Sequence, residues 1–221
     1  MEIKLKKPVL DFNEGFAREN KKLCKEQGVY VLDLMASPGA GKTSLILATI
    51  EELRSRYRIA VIEGDIASDV DAVKIKATGT PAIQINTGGA CHLEAAMIAR
   101  ALKELDLEQL DLIIIENVGN LVCPTEFNLG EDAKAMILSV PEGHDKPLKY
   151  PGVFQVSQAV VLSKVDTLPY FDFVVNEFKK TVEQLNPHAV IFSLSVKTGK
   201  NVSAWTQWLS DQIEEKKLCN S

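Results

Sequence analysis

Short apolar runs recur along this chain and predict strands at Val29–Met35, Ile59–Glu63, Ala82–Asn86, Asp111–Glu116, Ala135–Val140, Ala159–Ser163 and Val190–Leu194. Val, Ile and Leu dominate them instead of alternating with polar residues, the pattern of strands covered on both faces, as in a parallel sheet. Helical periodicity fills several of the intervals, at Lys42–Ser55, Cys91–Glu104, Phe171–Leu185 and Val202–Glu215. Ahead of the first strand, residues 11–27 mix Phe12, Phe16, Leu23 and Cys24 with Glu, Arg and Lys, which reads as an amphipathic helix stopped by Gly28. Repeated strand–helix order predicts an α/β fold, one mostly parallel sheet flanked by helices with right-handed crossovers. The expected division is an N-terminal helical segment over residues 1–28 and one domain over 29–221. The longest expected loop, Pro141 to Ser157, carries Gly143, Pro147, Pro151 and Gly152; it is expected to be ordered by a ligand or mobile.

With 221 residues, 46% of them apolar, the chain is long enough for one domain with a sizeable core. Acidic residues outnumber basic ones 30 to 25, a net charge of −5, which argues against a protein that holds nucleic acid through its phosphates. No apolar run approaches the roughly 18 residues of a membrane span, and the charged start Met1 to Lys7 has no signal-like apolar core. Cys24, Cys91, Cys123 and Cys219 are widely and irregularly spaced, which suits free thiols or metal ligands better than a disulfide framework. The expected compartment is the cytoplasm, with no nucleic-acid or membrane partner.

Chemistry enters at Ala36-Ser37-Pro38-Gly39-Ala40-Gly41-Lys42-Thr43, which follows a predicted strand and opens a predicted helix. That is the setting of a P-loop, whose glycines turn backbone N–H groups onto phosphate oxygens at a helix N-terminus. Lys42 would reach the β- and γ-phosphates and Thr43 would hold Mg²⁺, with Gly39, Ala40, Gly41 and Ser44 completing the nucleotide cradle. Ala36 stands where such loops usually begin with glycine, a position an alanine can fill if its φ is negative. Glu116 closes a strand as a Walker-B acid would, Gly119 fits a γ-phosphate-sensing turn, and Asp65 or Asp71 could complete the magnesium shell. Ligands of open α/β sheets bind at such strand ends.

Ser163-Lys164-Val165-Asp166 resembles the Asn-Lys-x-Asp guanine motif, with Ser in place of Asn. A carboxylate at Asp166 accepts from both N1–H and the 2-amino group of guanine, donors that adenine does not pair in this way. The stem of Lys164 would lie along the purine. Ser195-Val196-Lys197 resembles the Ser-Ala-Lys element that offers backbone N–H groups to the guanine oxygen. Losing Asn at 163 removes a loop-tying amide, so weaker nucleotide binding is expected. Cys91 and His92 are adjacent borderline-soft ligands suited to Ni²⁺ or Zn²⁺. Neighbours on a helix point about 100° apart and close a site poorly alone. A third ligand could be Cys123 or come from a second subunit across a two-fold axis.

These residues resemble the hydrogenase-maturation nickel-insertion GTPases of HypB type, over most of the chain from about Val29 to Trp208. The similarity is carried by Ser37–Thr43, Cys91-His92-Leu93-Glu94, Glu116-Asn117-Val118-Gly119-Asn120 with Cys123-Pro124, Glu142-Gly143 with Lys146-Pro147-Leu148-Lys149-Tyr150-Pro151, and Ser195–Gly199. Related urease-maturation GTPases carry Cys-Pro-His, whereas here Cys91 and His92 touch. The resemblance implies a SIMIBI-class P-loop GTPase that uses GTP·Mg²⁺, returns GDP and phosphate, and dimerises when GTP is bound. It implies a Ni²⁺ or Zn²⁺ site of Cys91, His92 and Cys123 at the dimer interface. Its implied partners are a nickel-handling protein and the hydrogenase large-subunit precursor. Neither a cysteine-rich nickel motif nor a histidine-rich tract is found, so GTP-gated delivery rather than storage is the expectation.

With no Arg finger or water-positioning Gln visible, turnover is expected to be slow. The alternatives are a urease-type nickel accessory GTPase, a P-loop kinase with an incidental Cys-His pair, and a metal binder with no use for Lys42.

Overall fold

All seven strands run parallel in the computed structural model, which describes residues 6–65 and 70–220. In chain order the elements are α1 (Lys6–Glu26), β1 (Tyr30–Ala36), α2 (Lys42–Leu53), β2 (Ile59–Asp65), α3 (Val70–Lys76), β3 (Ala82–Asn86), α4 (Ala95–Leu102) and β4 (Leu112–Glu116). They continue with β5 (Ala133–Ser139), α5 (Lys146–Lys149), α6 (Pro151–Gln155), β6 (Ala159–Ser163), α7 (Val175–Leu185), β7 (Val190–Ser193) and α8 (Val202–Asn220). The strand order is β3-β2-β4-β1-β5-β6-β7. β1 lies where successive connections leave in opposite directions, the switch point at which α/β sheets bind ligands beyond the strands' carboxyl ends.

Both faces of the sheet are covered, which is why the strands read as unbroken apolar runs. On one face Leu32 and Leu34 of β1 pack with Leu45, Ile46 and Ile50 of α2 and with Trp205, Leu209 and Ile213 of α8. The indole N–H of Trp205 donates to Thr49 Oγ1 at 2.9 Å, so the buried aromatic keeps its polar partner. On the other face Val31, Ile62 and Ile113 meet Cys24 of α1 and Ile98 and Leu102 of α4. Beside them, Met136, Leu138 and Leu162 meet Phe154, Phe178 and Val182. Burial among these groups pushes the Cys24 thiol up to about 11 and leaves it an inert core residue.

Four expectations change. The Cys91–Glu104 helix starts only at Ala95, because Asn13 Oδ1 of α1 accepts from Ala95 N at 2.8 Å and caps the helix from another element. Cys91 and His92 therefore lie in a bend, free of the divergence a helix would impose on them. The span from Pro141 to Ser157 is not an unstructured loop: Glu142 closes a capping box on Ser139, and α5 and α6 carry Pro147 and Pro151 at their starts. Val70–Lys76 forms a helix that buries Ala72 and Ile75 and puts Asp71 in its first turn. β5 begins at Ala133, before the expected Ala135, and takes in Lys134 as a buried strand residue. Between the candidate magnesium ligands Asp65 and Asp71, residues 66–69 lie outside the described residues, as do 1–5 of the charged start.

Candidate functional site

β1 ends at Ala36 and α2 starts at Lys42, so five residues reverse the chain over the sheet's carboxyl edge. Gly39 and Gly41 take φ of +77° and +104°, which a side chain would strain. Lys164 and Asn201 are the positive-φ non-glycine residues among those described, so Ala36 sits in ordinary backbone and fills the usual glycine position without strain. The helix N-terminus and the loop open onto a cavity of about 470 Å³. Gly39, Gly41, Lys42, Thr43 and Ser44 line one wall, and Glu63, Asp65, Asp71, Glu116 and Gly119 lie across from them. Gly119 sits against the loop: a β-carbon there would lie 2.9 Å from Pro38 Cγ. Ser37 Oγ donates to Glu142 Oε1, which ties the front of the loop to the end of β5.

The acids supply oxygen ligands of the kind a hard cation takes. Thr43 Oγ1 donates to Glu116 Oε1 at 3.1 Å. Glu116 Oε2 and, one strand over, Glu63 Oε2 are buried with no hydrogen-bond partner, an arrangement that is costly unless something else occupies them. Burial pushes Glu116 up to about 7 against the pull of Lys42 and Thr43, and burial and then the Glu116 charge push Glu63 up to about 7. A divalent cation held by these oxygens would favour the carboxylate form of both. An oxygen-only set of hydroxyl and carboxylates fits Mg²⁺. Glu63 was not singled out from the sequence, where it is one more residue of a strand. Its pairing with Glu116 across β2 and β4 is what reveals it. On the rim the candidate Asp71 pairs at 2.7 Å with Lys74, and it is Lys74 that is a further cavity residue without a sequence signal.

A second cavity, of about 370 Å³, adjoins the first through Gly41, Ser44 and Lys164, which line both. Ala40, Asp166, Ser195, Val196 and Lys197 line its other walls. Ser195 Oγ donates to Asp166 Oδ1 at 2.6 Å, which holds the carboxyl below its usual range and joins the two base-side segments. Lys164 Nζ donates to Gly39 O at 2.6 Å, which lays its stem along the cavity wall. The tie expected to be lost with Asn at 163 is present in another form. Ser163 Oγ donates to Ala40 O at 2.7 Å, so a hydroxyl holds the loop where the usual motif has an amide.

Cys91, His92 and Cys123 form a third group, with one ligand atom from each within 4.8 Å of the others. The thiols of Cys91 and Cys123 are 2.9 Å apart, and His92 Nδ1 is 3.7 Å from Cys91 Sγ. Asn120 Nδ2 donates to the Cys91 carbonyl at 3.2 Å, holding the two ligand-bearing loops together. Burial lowers the His92 pKa and so favours the neutral ring that binds metals. The close contact with Cys91, then burial, raises the pKa of the Cys123 thiol; a soft or borderline metal would displace its proton. Two thiols and an imidazole leave a coordination position open, the donor set for Ni²⁺ or Zn²⁺. Of the two origins considered for a third ligand, Cys123 of the same chain is the one these loops bring alongside. Cys24 and Cys219 lie apart from the cluster, and His144 and His188 do not join it.

A nucleotide-binding-domain model described as CobW/HypB/UreG matches residues 30–193. The hydrogenase maturation factor HypB of Azotobacter vinelandii is 45% identical over 210 residues, covering 95% of this chain and 69% of that one. The hydrogenase/urease maturation factor HypB of Helicobacter pylori strain J99 is 41% identical over 218 residues, covering 97% of this chain and 89% of that one. The crystal structure of HypB from Helicobacter pylori in complex with nickel superposes with a TM-score of 0.88 at 42% identity, over 93% of this chain and 96% of that one.

Proposed function

The chain belongs to the CobW/HypB/UreG nucleotide-binding family, and from that premise we propose that it is a GTP-hydrolysing metallochaperone that delivers nickel during [NiFe]-hydrogenase maturation. Lys42 binds the β- and γ-phosphates, and Thr43 with Glu116, Asp65 and Asp71 serves Mg²⁺ directly or through water. Asp166, with Lys164 and the backbone of Ser195–Lys197, selects guanine. Cys91, His92 and Cys123 carry Ni²⁺, or Zn²⁺, as cargo. Of the N-terminal segment 1–28, α1 (Lys6–Glu26) is a helical extension on a GTPase domain that follows from residue 29. Two copies associate when GTP is bound, hydrolysis is slow, and the cargo passes between a nickel-handling protein and the hydrogenase large-subunit precursor in the cytoplasm.

One observation carries this reading. The Cys-His-Cys cluster stands on the loops that leave β3 and β4, at the same sheet edge as the phosphate cavity, and the β4 loop runs from Glu116 directly to Cys123. A kinase has no use for such a cluster, and a simple metal store has no use for the nucleotide cavities. The test is Ni²⁺ titration of the GDP complex and of the complex with a non-hydrolysable GTP analogue, with native mass measurement of both. Different affinities with a GTP-dependent dimer support the proposal, and equal affinities remove nucleotide gating. A urease-directed role is the second reading, favoured by the name of the Helicobacter relative. Nickel transfer to apo-urease but not to the hydrogenase precursor would select it.

A further inference from the structure

Between the phosphate cavity and the metal cluster lies a buried polar network that neither site needs for its own chemistry. Asn117, next after Glu116 and part of the phosphate cavity wall, donates through Nδ2 to Asp33 Oδ1 at 3.0 Å. Asp33, fully buried in the middle of β1, accepts through Oδ2 from Lys134 Nζ at 3.0 Å. Lys134 also pairs with Glu131 at 3.0 Å, and the same ammonium donates to the carbonyl of Phe127 at 3.0 Å and faces that of Pro124 at 3.4 Å. Those carbonyls belong to the turn that carries Cys123, and the Phe127 ring stacks on His92 with centroids 3.8 Å apart. A parallel contact runs along β2. Leu93, next after His92, fills the space over Gly64, where a β-carbon would meet it at 2.7 Å, and Gly64 adjoins Asp65.

Stability alone does not account for such a network. A buried ion pair recovers little more than its desolvation, and well-packed apolar residues of similar size often serve as well or better. What the pair does here is join a residue of the phosphate cavity to the backbone of the metal-carrying turn through buried groups. We propose that Asn117, Asp33 and Lys134 are positioning residues that couple the occupancy of the phosphate cavity to the geometry of the Cys91–His92–Cys123 cluster. When the γ-phosphate changes the Asn117–Gly119 turn, the Asn117 amide moves against Asp33, Lys134 shifts with its partner, and the 124–127 turn changes the approach of Cys123 and of the ring under His92. This rests on the proposed nucleotide gating of the metal site and names the groups that transmit it.

The test compares wild type with the double substitution Asp33→Asn/Lys134→Met, which removes both charges together and leaves every nucleotide and metal ligand in place. Ni²⁺ affinity is measured by chelator competition in the GDP complex and in the GTP-analogue complex. The readout is the ratio of the two affinities, which a purely structural role would leave unchanged. Wild type should show a ratio of about fivefold or more, and the double variant a ratio within about twofold of one, with both nucleotides still bound. A folded double variant that keeps the wild-type ratio overturns the relay while gating stands. A wild-type ratio of one overturns gating itself and the relay with it. Should circular dichroism show the double variant unfolded, Phe127→Leu decides in the same terms. It removes the ring under His92, so a ratio at least halved supports the relay and an unchanged ratio overturns it.

Discussion

Adding one methyl group at Gly119 tests whether the turn after β4 must rest on the phosphate loop. A β-carbon there would lie 2.9 Å from Pro38 Cγ, 3.1 Å from Cδ and 3.1 Å from the backbone nitrogen, against 3.4 Å for the near edge of ordinary contact. The shortfall is about 0.3–0.5 Å toward a ring and a main chain, neither of which can rotate away, and overpacking of this kind costs about 1–3 kcal/mol. If, as proposed, the triphosphate holds this half-buried turn closed and its absence leaves the turn free to lift, the penalty falls on the triphosphate complex. At 1.36 kcal/mol per decade, Gly119→Ala should slow single-turnover GTP hydrolysis by about 5- to 150-fold, while GDP affinity stays within about threefold, under 1 kcal/mol. Gly152→Ala is the control, since its β-carbon meets only Thr125 Oγ1, at 3.9 Å, and turnover should not change. Wild-type turnover in Gly119→Ala, or an equal loss in Gly152→Ala, would refute the reasoning.

Asp166→Asn replaces an acceptor-only carboxylate with an amide that offers one acceptor and donors, so guanine nucleotide affinity should fall at least about 100-fold. Xanthine nucleotides, which carry a carbonyl where guanine has its amino group, should gain, and competition with labelled GDP reads both changes. Cys123→Ser exchanges a soft ligand for a hard one; Ni²⁺ affinity should fall at least about tenfold in chelator competition, with GDP binding unchanged. Asp111 supplies an acid-sensitive contribution to stability. Burial opposes its ionisation, but hydrogen bonds from Arg58 and Lys217 hold it at about 2, below the ordinary 3.8. A depressed folded-state pKa means that the contribution is present above pH 4 and is lost as pH falls through 2. Allowing for solvent screening it is about 1–2 kcal/mol, so Asp111→Asn should melt about 2–8 °C below wild type at pH 7. The gap should narrow between pH 4 and 2, and a constant gap across that range would sink the assignment.

The nucleotide half of the site was legible because its information is contiguous. Gly39 to Thr43 must follow a strand and open a helix, and the apolar runs on either side make that setting visible. Asp166 and Ser195 lie at the ends of two such runs, so their convergence follows once the strands are known to be parallel. The departures at Ala36 and Ser163 were visible as letters, but their consequences were not. Whether φ at Ala36 is negative, and whether the Ser163 hydroxyl reaches Ala40, are three-dimensional facts. Cys91-His92 was legible as a ligand pair but misplaced onto a helix, because the cap that sets the start of α4 comes from Asn13, 82 residues away.

What the sequence determined by itself, then, is the order of strands and helices, the phosphate loop, and the candidates for the guanine-side carboxylate and for a Cys-His ligand pair. Each is fixed by neighbours within a few residues, through hydrophobic period, backbone freedom or side-chain chemistry. Tertiary structure alone decided that Cys123 of the same chain stands 2.9 Å from Cys91. It also decided that Glu63 faces the cavity beside Glu116, and that Asp33 pairs with Lys134 across 101 residues. A charged residue inside an apolar run gives no sign of its partner, because the partner is chosen by sheet order and strand register, which arise from packing the whole chain at once.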